Sequence, residues 1–220
     1  MKNQIRTKAI IFDMDGVITN TMPDHYRVWS SLFRAQGIPA SRLDVYKREG
    51  QRGIDSVLEI FQEHQKGISL KEAQNLLTQK EKMFKKIVKQ RFIPGARRFL
   101  RTLHRQGFQL GLVTGTSRHE LRKILPESIA KRFDVIITGS DVKNGKPHPE
   151  PYLTALKKLK QKSRNAVVIE NAPFGIQSAK KAKLRCFAIA TSLSKYYLKE
   201  ADDVFGSIKE LQKRNQFIKS

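Results

Sequence analysis

The sequence predicts an α/β fold, a doubly wound parallel sheet with a small all-helical cap domain inserted after the first strand. Three observations support this prediction. Short apolar runs such as AIIFD, residues 9–13, have the length and β-branched content of buried strands. Amphipathic stretches with helical spacing separate these runs, and such alternation is typical of a parallel sheet covered by helices on both faces. Residues 21–92 show helical spacing alone, which indicates a separate helical unit.

The elements follow one another in a clear order. After AIIFD, the predicted strands are LGLVTG (110–115), FDVIITG (133–139), AVVIEN (166–171) and CFAIAT (186–191). The helical segment includes Ser69 with Glu72 three residues on, a capping-box pattern that predicts a helix start. Pro94 and Gly95 then interrupt the helical spacing. We therefore assign residues 1–20 and 93–220 to the α/β core and residues 21–92 to the cap.

The 220-residue chain carries 43 Lys and Arg against 20 Asp and Glu, a formal net charge of +23. The excess is spread along the C-terminal two-thirds without interleaved aromatic residues, so we interpret it as a solvated basic surface and expect no nucleic-acid partner. No apolar run approaches the length of a membrane-spanning helix or of a signal-peptide core. The single Cys186 cannot form an internal disulfide. We expect a cytoplasmic protein without a membrane partner.

Polar side chains follow several of the predicted strands. Asp13 and Asp15 follow the first, Thr114 ends the second, and Glu170 and Asn171 end the fourth. Ligands of open parallel sheets bind beyond the carboxyl ends of the strands. We therefore expect these side chains to meet at one edge of the sheet.

This set of residue types suits phosphoryl transfer. Carboxylate, amide and backbone carbonyl oxygens favour a hard cation such as Mg²⁺. Two aspartates at i and i+2 can divide the work, one as a nucleophile that forms an aspartyl-phosphate and the other as general acid and then base. Lys146 would offset phosphate charge, and the hydroxyls and amides of TGTSR (114–118) would bind phosphate oxygens. Purely structural roles for the aspartates are disfavoured, because unpaired carboxylates at a buried strand end are costly.

The segment FDMDGVITNT (12–21) resembles the first motif of the haloacid dehalogenase superfamily. LVTGTS (112–117), KPHPEPY (146–152) and VVIENAPFGI (167–176) are similar to its second, third and fourth motifs, in the same order. The match spans nearly the whole chain. A helical cap between the first two motifs resembles the subgroup that contains beta-phosphoglucomutase and sugar-phosphate phosphatases, so the resemblance implies a core of the haloacid dehalogenase type.

The resemblance also implies catalytic roles for four residues. Asp13 would be the nucleophile and Asp15 the acid and base. Thr114 and Lys146 would contact the phosphate. Mg²⁺ would bind Asp13, the Asp15 backbone carbonyl and the fourth motif.

The fourth motif departs from the usual pattern. Relatives usually carry Glu-Asp there, and this chain has Glu170 followed by Asn171. The amide supplies a neutral oxygen that can still bind Mg²⁺ or one of its waters. We expect a working enzyme with weaker metal affinity.

Six further residues are candidates for substrate contacts: Gly16, Gly115, Thr116, His25, Glu49 and Arg52. His25 lies at a position that sugar mutases use near the substrate, although a surface or core histidine is an equal alternative. KREGQRGIDS (47–56) resembles the cap loop that reaches over the site, or is a polar turn between helices. Gly53 falls where the mutases carry a phosphate-binding arginine, which counts against mutase activity.

The sequence therefore predicts a Mg²⁺-dependent phosphatase acting on a small phosphorylated metabolite, with a sugar phosphate favoured over a nucleotide, through an aspartyl-phosphate. The first alternative is a beta-phosphoglucomutase-like mutase, which would retain phosphate on its product. The second is a non-catalytic protein that uses its basic surface to bind nucleic acid. A capped enzyme of this size is expected to be a monomer.

Overall fold

The computed structural model describes residues 2–219. A six-stranded sheet in the order β4-β3-β2-β5-β6-β7 forms its centre, and every neighbouring pair of strands is parallel. Its strands are β2 (Ala9–Phe12), β3 (Gln109–Val113), β4 (Val135–Ile137), β5 (Ala166–Glu170), β6 (Arg185–Ile189) and β7 (Asp203–Phe205). Separate apolar clusters pack around alternate side chains of β2 and β5, so helices cover both faces. The predicted doubly wound parallel sheet is confirmed.

The helices connect the strands and cover the sheet. Their bounds are α1 (Met22–Ala35), α2 (Arg42–Tyr46), α3 (Gly53–Glu63), α4 (Leu70–Ile87), α5 (Ala96–Arg105), α6 (Arg118–Ile124), α7 (Glu127–Ala130), α8 (Glu150–Leu159), α9 (Pro173–Lys181) and α10 (Ile208–Arg214). Short 3₁₀ turns at Ser163–Asn165 and Lys195–Leu198 complete the connections.

The register of the central strands places the site. Phe12, the last residue of β2, pairs with Leu112 of β3 and with Ile169 of β5. The Asp13 amide continues the ladder to the Ile169 carbonyl at 2.9 Å. The residues that follow these three strands therefore meet at one edge of the sheet, as expected from the sequence.

Helices α1 to α4 all lie within residues 21–92. The chain leaves the sheet after β2 and returns beside its starting point, where the Asn20 amide donates to the Arg91 carbonyl at 2.9 Å. The capping box at Ser69 is present, since the Ser69 side chain accepts from the Glu72 amide and the Glu72 side chain accepts from the Ser69 amide. Trp29 stacks on a phenylalanine one turn along α1, with ring centroids 5.0 Å apart. The division into a core and a cap with these boundaries stays a prediction.

A second sheet was not expected from the sequence. Strand β1 (Asn3–Thr7) pairs in parallel with β8 (Asn215–Lys219) and forms a two-stranded sheet of its own. The helical segment thus follows the first strand of the large sheet, β2, and one further strand precedes it along the chain.

Between residues 2 and 219, we find no helix with the length and apolar character required to cross a membrane.

Candidate active site

The Asp13 carboxylate lies at the carboxyl end of β2 and is fully buried. Its Oδ1 accepts a hydrogen bond from Lys146 Nζ at 2.6 Å, and its Oδ2 has no partner among the described residues. Burial raises the pKa of Asp13 well above its usual value, and the charge of Lys146 opposes that rise. One carboxylate oxygen is thus anchored and the other is free to react or to bind a ligand.

Lys146 is the buried cation of the site. Its ammonium also donates to Glu170 Oε1 at 2.7 Å and to the Val113 carbonyl at 3.2 Å. Burial alone would lower the pKa of Lys146, but the charges of Asp13 and Glu170 outweigh it and raise that pKa above the usual value. All three ammonium hydrogens have acceptors, so the lysine is held rigidly as a cation.

Glu170 ends β5 and is held by protein donors on both oxygens. Oε1 accepts hydrogen bonds from Lys146 and from the buried Tyr152 hydroxyl, both at 2.7 Å. Oε2 accepts from the backbone N–H of Asn171 at 2.9 Å. A Cβ at Gly175 would lie 1.8 Å from Oε1, so the following helix must carry glycine there. Sequence reasoning missed Tyr152, although it lies inside the third motif.

The Asp15 carboxylate is surrounded by hydroxyl groups. Thr21 and Thr19 donate to Oδ1, Thr19 at 3.4 Å, while Thr114 and Thr116 donate to Oδ2 at 3.3 and 3.1 Å. The Nε2 atom of His25 lies 3.5 Å from Oδ1. Burial would raise the pKa of Asp15, but His25 and the hydroxyl donors outweigh burial and lower that pKa below its usual value. Asp15 is therefore held as a carboxylate in this arrangement.

The donor set fits the implied Mg²⁺. Two buried oxygens in the site have no protein partner among residues 2–219, namely Asp13 Oδ2 and Asn171 Oδ1. The Asn171 amide nitrogen donates to Ser192 Oγ at 3.1 Å, so the opposite atom of the amide is the free one. Within the same residues, no group of three or more His, Cys, Asp and Glu side chains is arranged to hold a metal ion. The fit therefore depends on the amide oxygen, and Glu170, with both oxygens already engaged, is the weaker of the predicted ligands.

Two predicted substrate-binding glycines have backbone roles. Gly16 has a φ of +92°, and a Cβ there would lie 2.1 Å from the Asn171 side-chain nitrogen. A Cβ at Gly115 would lie 2.3 Å from the Gln51 carbonyl oxygen. Neither position tolerates a side chain. The short distance at Gly115 also shows that the loop after α2 closely approaches the loop after β3.

The loop of residues 49–52 covers the site, which is the first of the two alternatives that KREGQRGIDS left open. Gly50 has a φ of +77°, and a Cβ there would lie 2.5 Å from Lys146 Cδ. Arg52 donates through Nη1 to the Lys143 carbonyl across the cleft. Glu49 is half-buried, and burial, followed by the charges of Asp15 and Asp13, raises its pKa well above the usual value. The loop therefore lies directly over the catalytic carboxylates.

A cavity of about 270 Å³ opens between this loop, the helical segment and the loop after β3. His25, Glu49, Arg52, Gly115 and Thr116 all line it, so five of the six predicted substrate-binding residues share one cavity. Buried Lys80 and Glu120, which the sequence did not single out, also line it. Their side chains form an ion pair at 2.9 Å that links α4 to α6.

Comparisons with known proteins bear on the family of this chain. The family model for haloacid dehalogenase-like hydrolases matches residues 10–189. A phosphorylated carbohydrates phosphatase of Thermotoga maritima is 31% identical over 85% of this chain and 87% of its own length. Beta-phosphoglucomutase of Bacillus subtilis is 30% identical over 80% of each chain. The solved structure of a putative beta-phosphoglucomutase from Bacteroides vulgatus superimposes with a TM-score of 0.85 at 34% identity, covering 96% of this chain and 88% of that one.

The family model covers five of the six strands of the large sheet, β2 to β6, and every motif that supplies the buried carboxylates and lysine. The chain belongs to the haloacid dehalogenase-like hydrolases.

Proposed function

We propose that this hydrolase is a Mg²⁺-dependent phosphatase that removes phosphate from a small phosphorylated metabolite, a sugar phosphate before a nucleotide. One observation carries the proposal. Asp13 is a buried carboxylate with one oxygen fixed by Lys146 at 2.6 Å and the other without a protein partner among residues 2–219. That is the arrangement required of a nucleophile that is oriented by the protein through one oxygen and keeps the other oxygen unpartnered for attack.

The proposed chemistry has two steps. In the first, an Asp13 oxygen attacks phosphorus in line, the bond from phosphorus to the substrate oxygen breaks, and Asp15 gives a proton to the leaving alkoxide. In the second, Asp15 takes a proton from water, which attacks the aspartyl-phosphate and releases inorganic phosphate and free Asp13. Thr114, Thr116 and Lys146 surround the carboxylates and would contact the phosphate oxygens.

The Mg²⁺ would be held by Asp13, the Asp15 backbone carbonyl and Asn171. Glu170 would influence the ion indirectly, because its oxygens accept hydrogen bonds from Lys146 and from the backbone N–H of Asn171. The bound ion would supply positive charge that offsets the phosphate and keeps Asp13 ionised. The orphaned oxygens of Asp13 and Asn171 support this assignment.

A phosphosugar mutase is the second candidate, because two of the similar proteins carry the name beta-phosphoglucomutase. The chain itself favours the phosphatase. At Gly53, where the mutases were expected to carry a phosphate-binding arginine, helix α3 begins, and a Cβ would lie 2.5 Å from Leu77 Cδ1. The cavity therefore lacks a side chain at that point, and the nearby Arg52 donates to Lys143.

Phosphate release from a panel of sugar phosphates and nucleotides, with varied Mg²⁺, tests the proposal. We expect metal-dependent release that Asp13→Asn abolishes. Glu127→Gln is the matched control, since its carboxylate is exposed, does not line the cavity and forms an ion pair with the exposed Lys131. Conversion of the substrate without free phosphate would establish the mutase instead, and no metal-dependent turnover at all would refute both.

A further inference from the structure

The cavity above the catalytic carboxylates is lined by several charged side chains, and its basic side chains are better paired than its acidic ones. Lys80 and Arg48 form ion pairs with glutamates of the protein. Lys80 Nζ donates to both oxygens of Glu120, at 2.9 and 3.3 Å. Arg48 forms ion pairs with Glu59 and Glu63 at 3.3 and 2.5 Å.

Arg52 is also engaged. Its guanidinium donates to the Lys143 carbonyl and lies 4.0 Å from Asp55 Oδ1. The fourth basic group, His25, faces Asp15 at 3.5 Å and stacks on Phe84 with ring centroids 4.1 Å apart. Lys80, Arg48 and Arg52 would each have to give up an existing partner to bind an anion, while His25 Nε2 lies beside the Asp15 carboxylate, which disfavours an anion there.

The carboxylates of the cavity are less well paired. Glu49 and Glu81 both line it, and neither forms an ion pair with any residue in the described part of the chain. Glu49 accepts only from the adjacent Gly50 amide, at 3.1 Å. The remaining polar groups of the lining are neutral: Gln51, Ser56, Gln74, Thr116, Ser117 and Ser140.

We infer that the cavity selects phosphomonoesters whose leaving group is uncharged and carries hydroxyls, and that it disfavours a leaving group with a carboxylate or a second phosphate. Hydroxyl groups can donate to Glu49 and exchange hydrogen bonds with the neutral amides and hydroxyls. A second anion would face the carboxyl groups of Glu49, Glu81 and the catalytic aspartates with no unpaired Lys or Arg side chain among the described lining residues, which costs binding energy. This specificity rests on the proposed phosphatase activity.

Two matched substrate pairs test the inference, since their members differ only by a terminal CH₂OH or carboxylate group. The pairs are D-glucitol 6-phosphate with 6-phospho-D-gluconate, and glycerol 3-phosphate with 3-phosphoglycerate. We expect kcat/KM for phosphate release to favour the alcohol at least tenfold in each pair. Equal rates, or a preference for the carboxylate in either pair, would overturn the inference.

The variant Glu81→Gln tests the cause, because Glu81 lines the cavity and forms no ion pair within the described residues. Removing this carboxylate should narrow the ratio of kcat/KM for the alcohol to kcat/KM for the carboxylate by about tenfold, while Glu127→Gln should leave that ratio unchanged. A ratio that Glu81→Gln does not alter would refute the electrostatic origin. Hydrolysis of p-nitrophenyl phosphate separates the two proposals: if it proceeds and the carboxylates are preferred, only the inference fails. If neither it nor any of the four esters releases phosphate, the proposed function fails and the inference fails with it.

Discussion

The ion pair between Lys80 and Glu120 joins the helical segment to the core and allows a quantitative prediction. Lys80 lies on α4 and is 4% exposed, while Glu120 lies on α6 and is 6% exposed. The Lys80 ammonium also lies 4.5 Å from the centre of the Phe84 ring. The pair is thus removed from solvent and packed against an aromatic face.

We expect Lys80→Met to lower the free energy of unfolding by about 3 kcal/mol. At the observed 2.9 Å and an effective dielectric constant near 20, the attraction is roughly 6 kcal/mol. Desolvation of both groups offsets part of this, and removing one partner of a buried pair costs about 3–5 kcal/mol because the other charge stays buried. Because the cavity lies beside the pair, water could solvate the charge that remains, so we take the lower end of this range, about 3 kcal/mol.

Urea denaturation measures this effect, and the single Trp29 serves as a local probe because its ring lies 5.9 Å from Lys80 Nζ. In the double variant Lys80→Met/Glu120→Gln, the free energy of unfolding should be more than 1 kcal/mol higher than in Lys80→Met alone, since no unpaired buried charge then remains. Lys131→Met is the control, because its pair with Glu127 is exposed on both sides and should contribute less than about 0.5 kcal/mol. A loss below 1 kcal/mol for Lys80→Met, or no recovery in the double variant, would refute the reasoning.

Three further predictions concern single side chains. Gly175→Ala should lower the free energy of unfolding by about 2 kcal/mol or more in denaturant titrations, because the added Cβ would lie 1.8 Å from Glu170 Oε1; an effect below 0.5 kcal/mol would contradict this. Burial alone would raise the pKa of Asp141, but hydrogen bonds from Arg118 and Thr138 and the charge of Arg118 outweigh it and lower that pKa from 3.8 to about 2. The Asp141 carboxylate therefore stabilises the fold above pH 3.8, and this contribution is lost as the pH falls through about 2. Asp141→Asn should therefore cost about 1–2 kcal/mol at pH 7 and progressively less below pH 4, and a cost independent of pH would count against it. Asn171→Asp should tighten Mg²⁺ binding at least tenfold in calorimetric titrations, since a carboxylate replaces an amide, and unchanged affinity would argue that residue 171 is not a ligand.

The large sheet could be predicted because its strands are apolar at nearly every position, which requires burial on both faces. The small sheet could not. Strand β1 is NQIRT, in which only Ile5 and Thr7 are buried, and its partner β8 lies more than 200 residues away along the chain. Short polar strands that pair over such a distance leave no local pattern, and β7, with three residues, is similarly inconspicuous.

The same distinction applies to the site. Asp13, Asp15 and Lys146 could be identified because strand ends and motif order place them, and the structure brings the three together. Tyr152 could not, because a tyrosine on a helix reads as core packing until its hydroxyl is seen 2.7 Å from Glu170. The pairing of Lys80 with Glu120 depends on how α4 packs against α6, which no local pattern in the sequence specifies.

The hydroxyl groups around Asp15 constrain how the proposed acid can work. A general acid must carry a proton, yet Thr21, Thr116 and His25 stabilise Asp15 as an anion and lower its pKa. The phosphate of a substrate would bring negative charge beside Asp15 and would compete for the Thr114 and Thr116 hydroxyls, both of which now donate to Oδ2. Each change raises the pKa of Asp15, so substrate binding itself would prepare the proton donor. The resting site keeps Asp15 ionised, and the phosphate whose leaving oxygen will need a proton is the group that would raise the pKa of Asp15.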